Sequence, residues 1–395
     1  GDQVEALLRD AIAMQPESAC AHAALGNVLG RAARFDESFE AYARALELDP
    51  NNARLHLGLG ERLRLHNRDG LAERHLSEAL SLERVYEEQG GASPDIVVVA
   101  LFAPGFWESQ LPIDLLVDRE QVGVIKVYVG GDVDLNAWPK AILLNAIADP
   151  DQSVAIGDAQ RLVDGSDRKC LNPPDLLART DRMFLSELER TPENVTVPRT
   201  IRGSAVQLRQ DADSLQYPMI IRPIGSHRGE QLERIGDRND LLSYLGTASD
   251  EAFHCTQFVD YRSSDGFFRK YRFIFIEGKP YPYHLAISPQ WMVHYFSAPM
   301  AEHAWMREEE ARFLAAPFDL FSGALQTALE SLAGILELDY FGVDCAIHEG
   351  KLLIFEANAN MLVHGFDDRS LFGYKQHTVA KIRAAFNAML RQSLL

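Results

Sequence analysis

Two carboxylates and a carboxamide stand out in LDYFGVDCAIHEGKLLIFEANANM, where Asp344 lies in one apolar run and Glu356 and Asn358 lie in the next. The Glu349-Gly350 pair between them is a turn signal, so the two runs form antiparallel strands that bring Asp344 close to Glu356. Residues two apart on a strand share a face, which puts Glu356 beside Asn358. Oxygens clustered in this way are hard donors of the kind that suit Mg2+, with nucleotide phosphates completing its shell. A solvated strand end is the bland alternative. Against it, FEANAN sits between apolar runs, and burying these groups unpaired is costly.

Three further segments carry candidate chemistry. In YPMIIRPIGSHRGEQLERI an apolar strand leads into Arg222, Pro223 and a loop with Gly225, Ser226 and Gly229. Such a loop can lay backbone N–H groups over phosphate oxygens, and an ordinary strand turn fits it equally well. GFFRKYRFIFIEGKPYPYHLAIS alternates along Tyr271, Phe273 and Phe275 and turns at Gly278. It reads as a hairpin with Lys270 and Arg272 on one face, solvated edge charge being the alternative. HCTQFVDY taken alone reads as a plain buried strand. HLAISPQWMVHY gathers His284, Ser288, Trp291, His294 and Tyr295 at what would be a substrate end. His294, with a reference pKa near neutrality, is a candidate base; a satisfied interior histidine is the alternative for it and for His284. His364 and His377 come after them.

In this order the four segments resemble the ATP-grasp superfamily over roughly residues 95–395. The resemblance implies that Asp344, Glu356 and Asn358 hold Mg2+ and that Arg182 and Arg222 hold the phosphates of ATP. Gly225, Ser226 and Gly229 would form the phosphate-covering loop. The backbone of Gln257, Phe258 and Val259 would read the adenine edge in a hinge near 256–261. Arg272, at a position used by the glutathione-synthetase and ribosomal-protein-modifying ligases, would hold the transferred phosphoryl group beside Lys270. Most members carry lysine where this chain has Arg222. The carbamoyl-phosphate-synthetase branch also uses arginine there, and a guanidinium grips phosphate in a bidentate way. Enzymes of this kind phosphorylate a carboxylate to an acyl phosphate, release ADP, and let an amine or thiol attack.

The elements that must position these residues begin with an internal repeat. Leu25-Gly26 recurs as Leu59-Gly60 and Ala45-Leu46 as Ala79-Leu80, a period of 34 that belongs to helical-hairpin solenoids. Leu25, Gly26, Tyr42, Ala45 and Pro50 resemble the tetratricopeptide (TPR) pattern. ALLRDAIAMQP looks like only the second helix of an earlier repeat, and so short an array is expected to lean either on the next domain or on residues upstream. After the polar joint Glu87–Gly91, DIVVVALFAP reads as a buried parallel strand opening a new α/β unit near Pro94. NPPDLLARTDRMFLSEL reads as a helix bearing Arg179 and Arg182. The expected architecture is multidomain: an all-α TPR solenoid over 1–91, a preceding open α/β domain over 92–178, and an ATP-grasp fold over 179–395.

With 39 Lys+Arg against 57 Asp+Glu the net charge is −18, which makes nucleic acid a poor default partner. No apolar run approaches the roughly 18–20 residues of a membrane span, so a cytoplasmic protein with no membrane partner is the default. The 4 cysteines lack metal or disulfide spacing and read as buried thiols. The leading expectation is a carboxylate–amine ligase whose repeats recruit a peptide or protein; repeats used for self-association, as in a homodimer, are an equally simple reading. The alternative from another class is an adaptor that senses ATP without ligation. The identities of acid and amine are not written in the sequence.

Overall fold

Small residues at the repeat positions let helices pack in pairs. The computed structural model describes residues 2–88, 94–105, 110–166, 168–187, 192–225, 231–247, 252–365 and 367–394. Its first five helices are α1 (Asp2–Met14), α2 (Ala19–Arg31), α3 (Phe35–Leu48), α4 (Ala53–Leu65) and α5 (Asp69–Leu82). The hairpin α2–α3 recurs as α4–α5, with Ala53 and Asp69 each 34 residues after Ala19 and Phe35. Ser18 caps α2 and Asn52 caps α4 through the same side-chain bond to the third backbone N–H beyond the cap. A Cβ on Gly26 would stand 2.6 Å from the Tyr42 ring, so only glycine allows this helix approach. α1 packs as a lone helix on α2, its Leu8 and Ile12 against Leu25, Leu29 and Ala41.

The last hairpin does lean on its neighbour. Leu76 and Leu80 share a core with Tyr86 and the first sheet. Directly after α5, strand β1 (Val85–Glu88) pairs antiparallel with β3 (Val122–Tyr128). Glu87 and Glu88, read as a polar joint, are therefore edge-strand residues; Lys126 lies 2.6 Å from Glu88 and explains how an acid sits there. β2 (Ile96–Phe102) is parallel to β3 and to β4 (Ile142–Asn145), and β5 (Cys170–Leu171) follows β4 in parallel. Residues 98–101 of β2 are wholly buried, as a strand covered on both faces requires. α6 (Ser153–Asp164) connects β4 to β5.

Residues 174–180 form a 3-10 turn rather than part of a longer helix, and Asp181 caps the short α7 (Arg182–Ser186). The break separates Arg179, which pairs with Glu337, from Arg182, which turns to Glu356. β6 (Val195–Thr196) runs to an edge of the third sheet. A second sheet, ordered β7-β10-β8-β9, holds β7 (Thr200–Ser204), β8 (Met219–Pro223), β9 (Glu233–Ile235) and β10 (Ala252–Gln257), packed with α8 (Ala205–Asp211) and α9 (Arg238–Thr247).

The third sheet, ordered β12-β11-β13-β14-β6, contains two hairpins. β11 (Phe268–Ile276) and β12 (Lys279–Ser288) turn at Glu277-Gly278; β13 (Tyr340–His348) and β14 (Lys351–Asn358) turn at Glu349-Gly350. All four turn residues have positive φ, the conformation a tight two-residue hairpin needs. Tyr271, Phe273 and Phe275 face Phe313 of α10 (Ala304–Ala315) and Phe321 beyond α11 (Pro317–Leu320), with α12 (Gly323–Leu336) in the same core. The opposite face packs Ile274, Ile276 and Tyr340 on Ile382 and Phe386 of α14 (Gln376–Gln392), which follows the short α13 (Arg369–Phe372). Asn387 of α14 also bonds the backbone of Leu116 and Asp118, fastening the C-terminal helix to the first sheet's layer. Cys170, Cys255 and Cys345 are buried free thiols, whereas Cys20 is exposed on α2, contrary to expectation. The repeat's packing face leaves its position uncovered. Among the described residues, no helix is long and apolar enough to cross a membrane.

A Cβ added to Gly342 of β13 would fall 2.1 Å from Met361 Cγ. Gly342→Ala is expected to cost about 1–3 kcal/mol by overpacking. Denaturant titration of Gly342→Ala, Met361→Ala and the double variant should show a favourable coupling between the two sites, because truncating Met361 opens the space. Additive effects would count against this packing.

Candidate active site

The strand register builds a charged row across the third sheet. His284 on β12 pairs with Arg272 on β11, Arg272 with Asp344 on β13, and Asp344 with Glu356 on β14. Directly paired residues project to one face, so these four side chains line up on it, and Lys270 joins them two residues from Arg272. Arg272 holds Asp344 in a two-pronged bond, Nε to Oδ1 at 2.5 Å and Nη2 to Oδ2 at 2.8 Å, and Lys270 Nζ lies 2.8 Å from Oδ2. Asp344 is 1% exposed. Burial by itself would raise its pKa, but Arg272 and Lys270 outweigh burial and hold the carboxyl well below the usual range. Apolar residues at both ends of the row, Ile274 and Tyr340 towards α14 and Phe268 and Ala286 at the other, strengthen that attraction.

The row ends at a cleft between the second and third sheets. Asp181 accepts a 2.6 Å bond from the Met183 N–H, which starts α7 and places Arg182, whose Nη2 lies 2.5 Å from Glu356 Oε2. Burial raises the Glu356 pKa, and Arg182 leads the interactions that bring it below its ordinary value. Across the cleft, β8 supplies Arg222 opposite His254 of β10. Burial and the neighbouring Arg182 bring Arg222 down to about 10, and burial and Arg182 bring His254 down to about 4. His254 is thus neutral at pH 7, leaving the arginines as the cleft's cations. Gly225 follows with φ +75°, and Asp149, Asp151, Asn358 and Asn360 complete the walls. A slot lined by Leu185, Val197, Pro198, Thr200, Thr256 and Ile354 opens alongside, sharing Arg182 and Glu356 with the cleft.

The predicted residues thus divide. Arg182, Arg222, Gly225, Glu356 and Asn358 line the cleft, and Lys270, Arg272 and Asp344 lie in the row that continues from Glu356. Ser226 and Gly229 lie outside the described residues. At the predicted hinge, the Gln257 and Phe258 N–H groups donate to Arg199 and Pro218 carbonyls, at 2.8 and 3.1 Å. A base edge there would meet carbonyls and the Val259 N–H. His294 is half-buried, with its pKa lowered by burial first and then by Lys270 and Arg272. His377 is exposed, and His364 is buried with its N–H on Tyr283 Oη at 3.0 Å. His284 is not a satisfied interior histidine: at 1% exposure, neither ring nitrogen has a partner among the described residues.

Sequence reasoning missed His254, Asp149 and Asp151, which occur in no spaced motif. It also missed a buried cluster next to the row. Lys375 Nζ lies 2.9 Å from Asp367 and donates to Tyr295 Oη, while Tyr374 Oη donates to Glu310 at 2.5 Å. A buried lysine in LFGYKQH gives no periodic signal; only its wholly buried partner Glu310, an acid within a helix, hints at it.

Mg2+ can be tested against this donor set. Among the described residues, no three His, Cys, Asp or Glu side chains are grouped to hold a metal ion. Glu356 and Asn358 present hard oxygens on the cleft wall, and Glu356 Oε1 takes no bond among the described residues. Asp344 lies beside them with both oxygens on Arg272 and Lys270. A carboxylate and an amide whose remaining ligands come from phosphates suit Mg2+, so the wall fits the ion, with Asp344 backing it.

No family model matches the chain, and no curated protein matches it. Among solved structures it is similar to D-alanine–D-alanine ligase from Bacillus anthracis complexed with ATP, at 14% identity and TM-score 0.47, covering 76% of this chain and 96% of that one. D-alanyl-alanine synthetase A from Vibrio cholerae gives 12%, 0.48, 76% and 99%. A RimK domain ATP-grasp protein from Sphaerobacter thermophilus gives 14%, 0.40, 73% and 99%. Similarities of this size assign no role to any residue, and roles rest on the geometry above.

Asp344 sets an acid limit on stability. Its folded pKa lies below the unfolded value of about 3.9, so its contribution is present above that pH and is lost as pH falls further. Asp344→Asn should flatten this acid limb. It should also cost about 3–5 kcal/mol at pH 7, because Arg272 and Lys270 lose their buried partner. Urea titrations from pH 2 to 7 check both; a parallel acid limb in the variant would refute the first.

Proposed function

We propose that the chain is an ATP-dependent carboxylate–amine (or thiol) ligase of the ATP-grasp type, working through an acyl phosphate with release of ADP and phosphate. The observation that carries this is the charged row Arg272-Asp344-Glu356 ending at a cleft with Arg182 and Arg222 on its walls. Arg182 and Arg222 stand on facing walls of the cleft, so a phosphate chain lying between them meets a guanidinium from each side.

In this reading Arg182 and Arg222 grip the phosphates of ATP, Gly225 opens the covering loop, and the apolar slot by Thr200 and Thr256 takes the adenine next to the hinge. Glu356 and Asn358, backed by Asp344, hold Mg2+, which supplies charge neutralisation for phosphoryl transfer. Lys270 and Arg272 steady the transferred group. A carboxylate oxygen of the acid takes the terminal phosphoryl group, and the bond to the ADP oxygen breaks. The amine then attacks the acyl carbon and phosphate leaves. His294, whose lowered pKa leaves it neutral at pH 7, accepts the proton the amine sheds. This chemistry rests on positioning and electrostatics, so no side-chain nucleophile is required.

Helices α1–α5 serve as a TPR module that recruits a peptide or protein substrate, the first sheet, which includes β1, as the open α/β unit beside the cleft, and 179–395 as the ATP-grasp unit. One observation favours the adaptor alternative: both Asp344 oxygens are already engaged by cations. ADP release that depends on acid and amine decides against the adaptor; nucleotide binding without it decides for the adaptor.

Hydroxylamine in place of the amine should trap a hydroxamate with stoichiometric ADP, and Glu356→Gln should abolish both. AMP and pyrophosphate as products would overturn the mechanism. Arg222→Ala should weaken ATP binding about tenfold or more, with Arg222→Lys milder because it keeps the charge and loses only the fork. Calorimetry reads both, and an unchanged Arg222→Ala affinity would remove Arg222 from the phosphate site.

A further inference from the structure

The segment after β12 crosses the site from hinge to row and is anchored by aromatic rings. Trp291 packs edge-on against Phe258 of the hinge at 5.7 Å, and Tyr295 lies 4.6 Å from His284. The next residue, Phe296, is 69% exposed, and Met292 is 45% exposed. Phe296 is nevertheless held in place: it stacks on buried His364 at 5.7 Å with planes 16° apart, and His294 lies 5.7 Å from it. A large ring pinned on one face and open on the other, beside a charged site, is a surface suited to another ring.

Two features of the row state what that ring should be attached to. Lys270 and Arg272 share the single charge of Asp344, leaving one positive charge in excess. His284, 1% exposed and paired with Arg272 across the strands, has no partner for either ring nitrogen among the described residues. A buried imidazole without hydrogen bonds is costly, and a polar head group arriving at this end of the row relieves the cost.

We infer that Phe296, Met292 and His364 form the wall of an acceptor subsite for a carboxylic acid with an aromatic or bulky apolar side chain, its carboxylate directed to Lys270, Arg272 and His284. This deepens the ligase reading and rests on it for the acid's role as substrate. The exposed face of the wall is the Phe296 ring, which offers no cation to a second acidic group, so a dicarboxylic acid fits less well than a monocarboxylic one.

The test compares 3-phenylpropionate, propionate and succinate on the full chain with a non-hydrolysable ATP analogue and Mg2+. Binding is followed by saturation-transfer NMR, and ADP release with ATP is measured in parallel. Phenylpropionate should bind at least about tenfold more tightly than the other two, and Phe296→Ala, at an exposed position that does not threaten folding, should reduce that advantage about tenfold. Equal affinities, tightest binding of succinate, or selectivity surviving in Phe296→Ala would overturn the subsite. The two readings fail separately: selective binding without acid-dependent ADP release sinks the ligase and keeps the subsite. Acid-dependent ADP release indifferent to the ring sinks the subsite and keeps the ligase.

Discussion

A buried carboxylate that cannot remain charged without its cations is the constraint around which the site is built. Asp344 lies in the middle of an otherwise apolar strand, and its negative charge survives there because Arg272 and Lys270 meet it from the adjacent strand. Both cations come from the same face of β11, so the pairing works in one register only. A slip of one residue would point Arg272 into the phenylalanine core with Phe273 and Phe275. The charged row therefore fixes the order of the sheet as much as the sheet positions the row. Substrate and structure would draw on the same charges.

The neighbouring buried polar groups are paired as well, although burial outweighs the partners of Glu310 and raises its pKa. Glu356 is held by Arg182, Lys375 by Asp367, and Glu310 by Tyr374 and the Leu285 N–H. Arg182–Glu356, Tyr374–Glu310 and the bond from Lys375 to Tyr295 each join segments far apart in the chain, so the loop carrying Tyr295, the residues leading into the C-terminal helix and the third sheet are tied into one wall. The imidazoles take the opposite course. Burial and nearby cations push His254, His284, His294 and His364 down, leaving them uncharged among arginines and lysines.

The helical hairpins are not tethered by a loose linker. β1 follows α5 directly and is hydrogen-bonded into the first sheet, while Arg54 reaches the Glu87 carbonyl and Tyr86 donates to Ala79. Strand β1 stands where another repeat would begin its next helix, so the sheet closes the array at that end. The orientation of the hairpins relative to the first sheet is set by this packing.

Several features were local enough for the sequence alone to determine. The 34-residue period, the two turns of Glu277-Gly278 and Glu349-Gly350, and the buried run of β2 depend on near neighbours: helix pitch, positive φ and strand alternation. The placement of Asp344 beside Glu356 was legible for the same reason, since a short turn leaves the hairpin one register. Other features needed the tertiary structure. The pairing of Arg272 with Asp344 spans 72 residues, and that of Arg182 with Glu356 spans 174. No periodicity reports such partners, because the choice is made by which strands become neighbours. The same holds for the polar joint that became an edge strand, for the helix broken at Asp181, and for the lone imidazole of His284. In each case the deciding energy is burial against a distant segment, and burial is a property of the assembled fold rather than of the local chain.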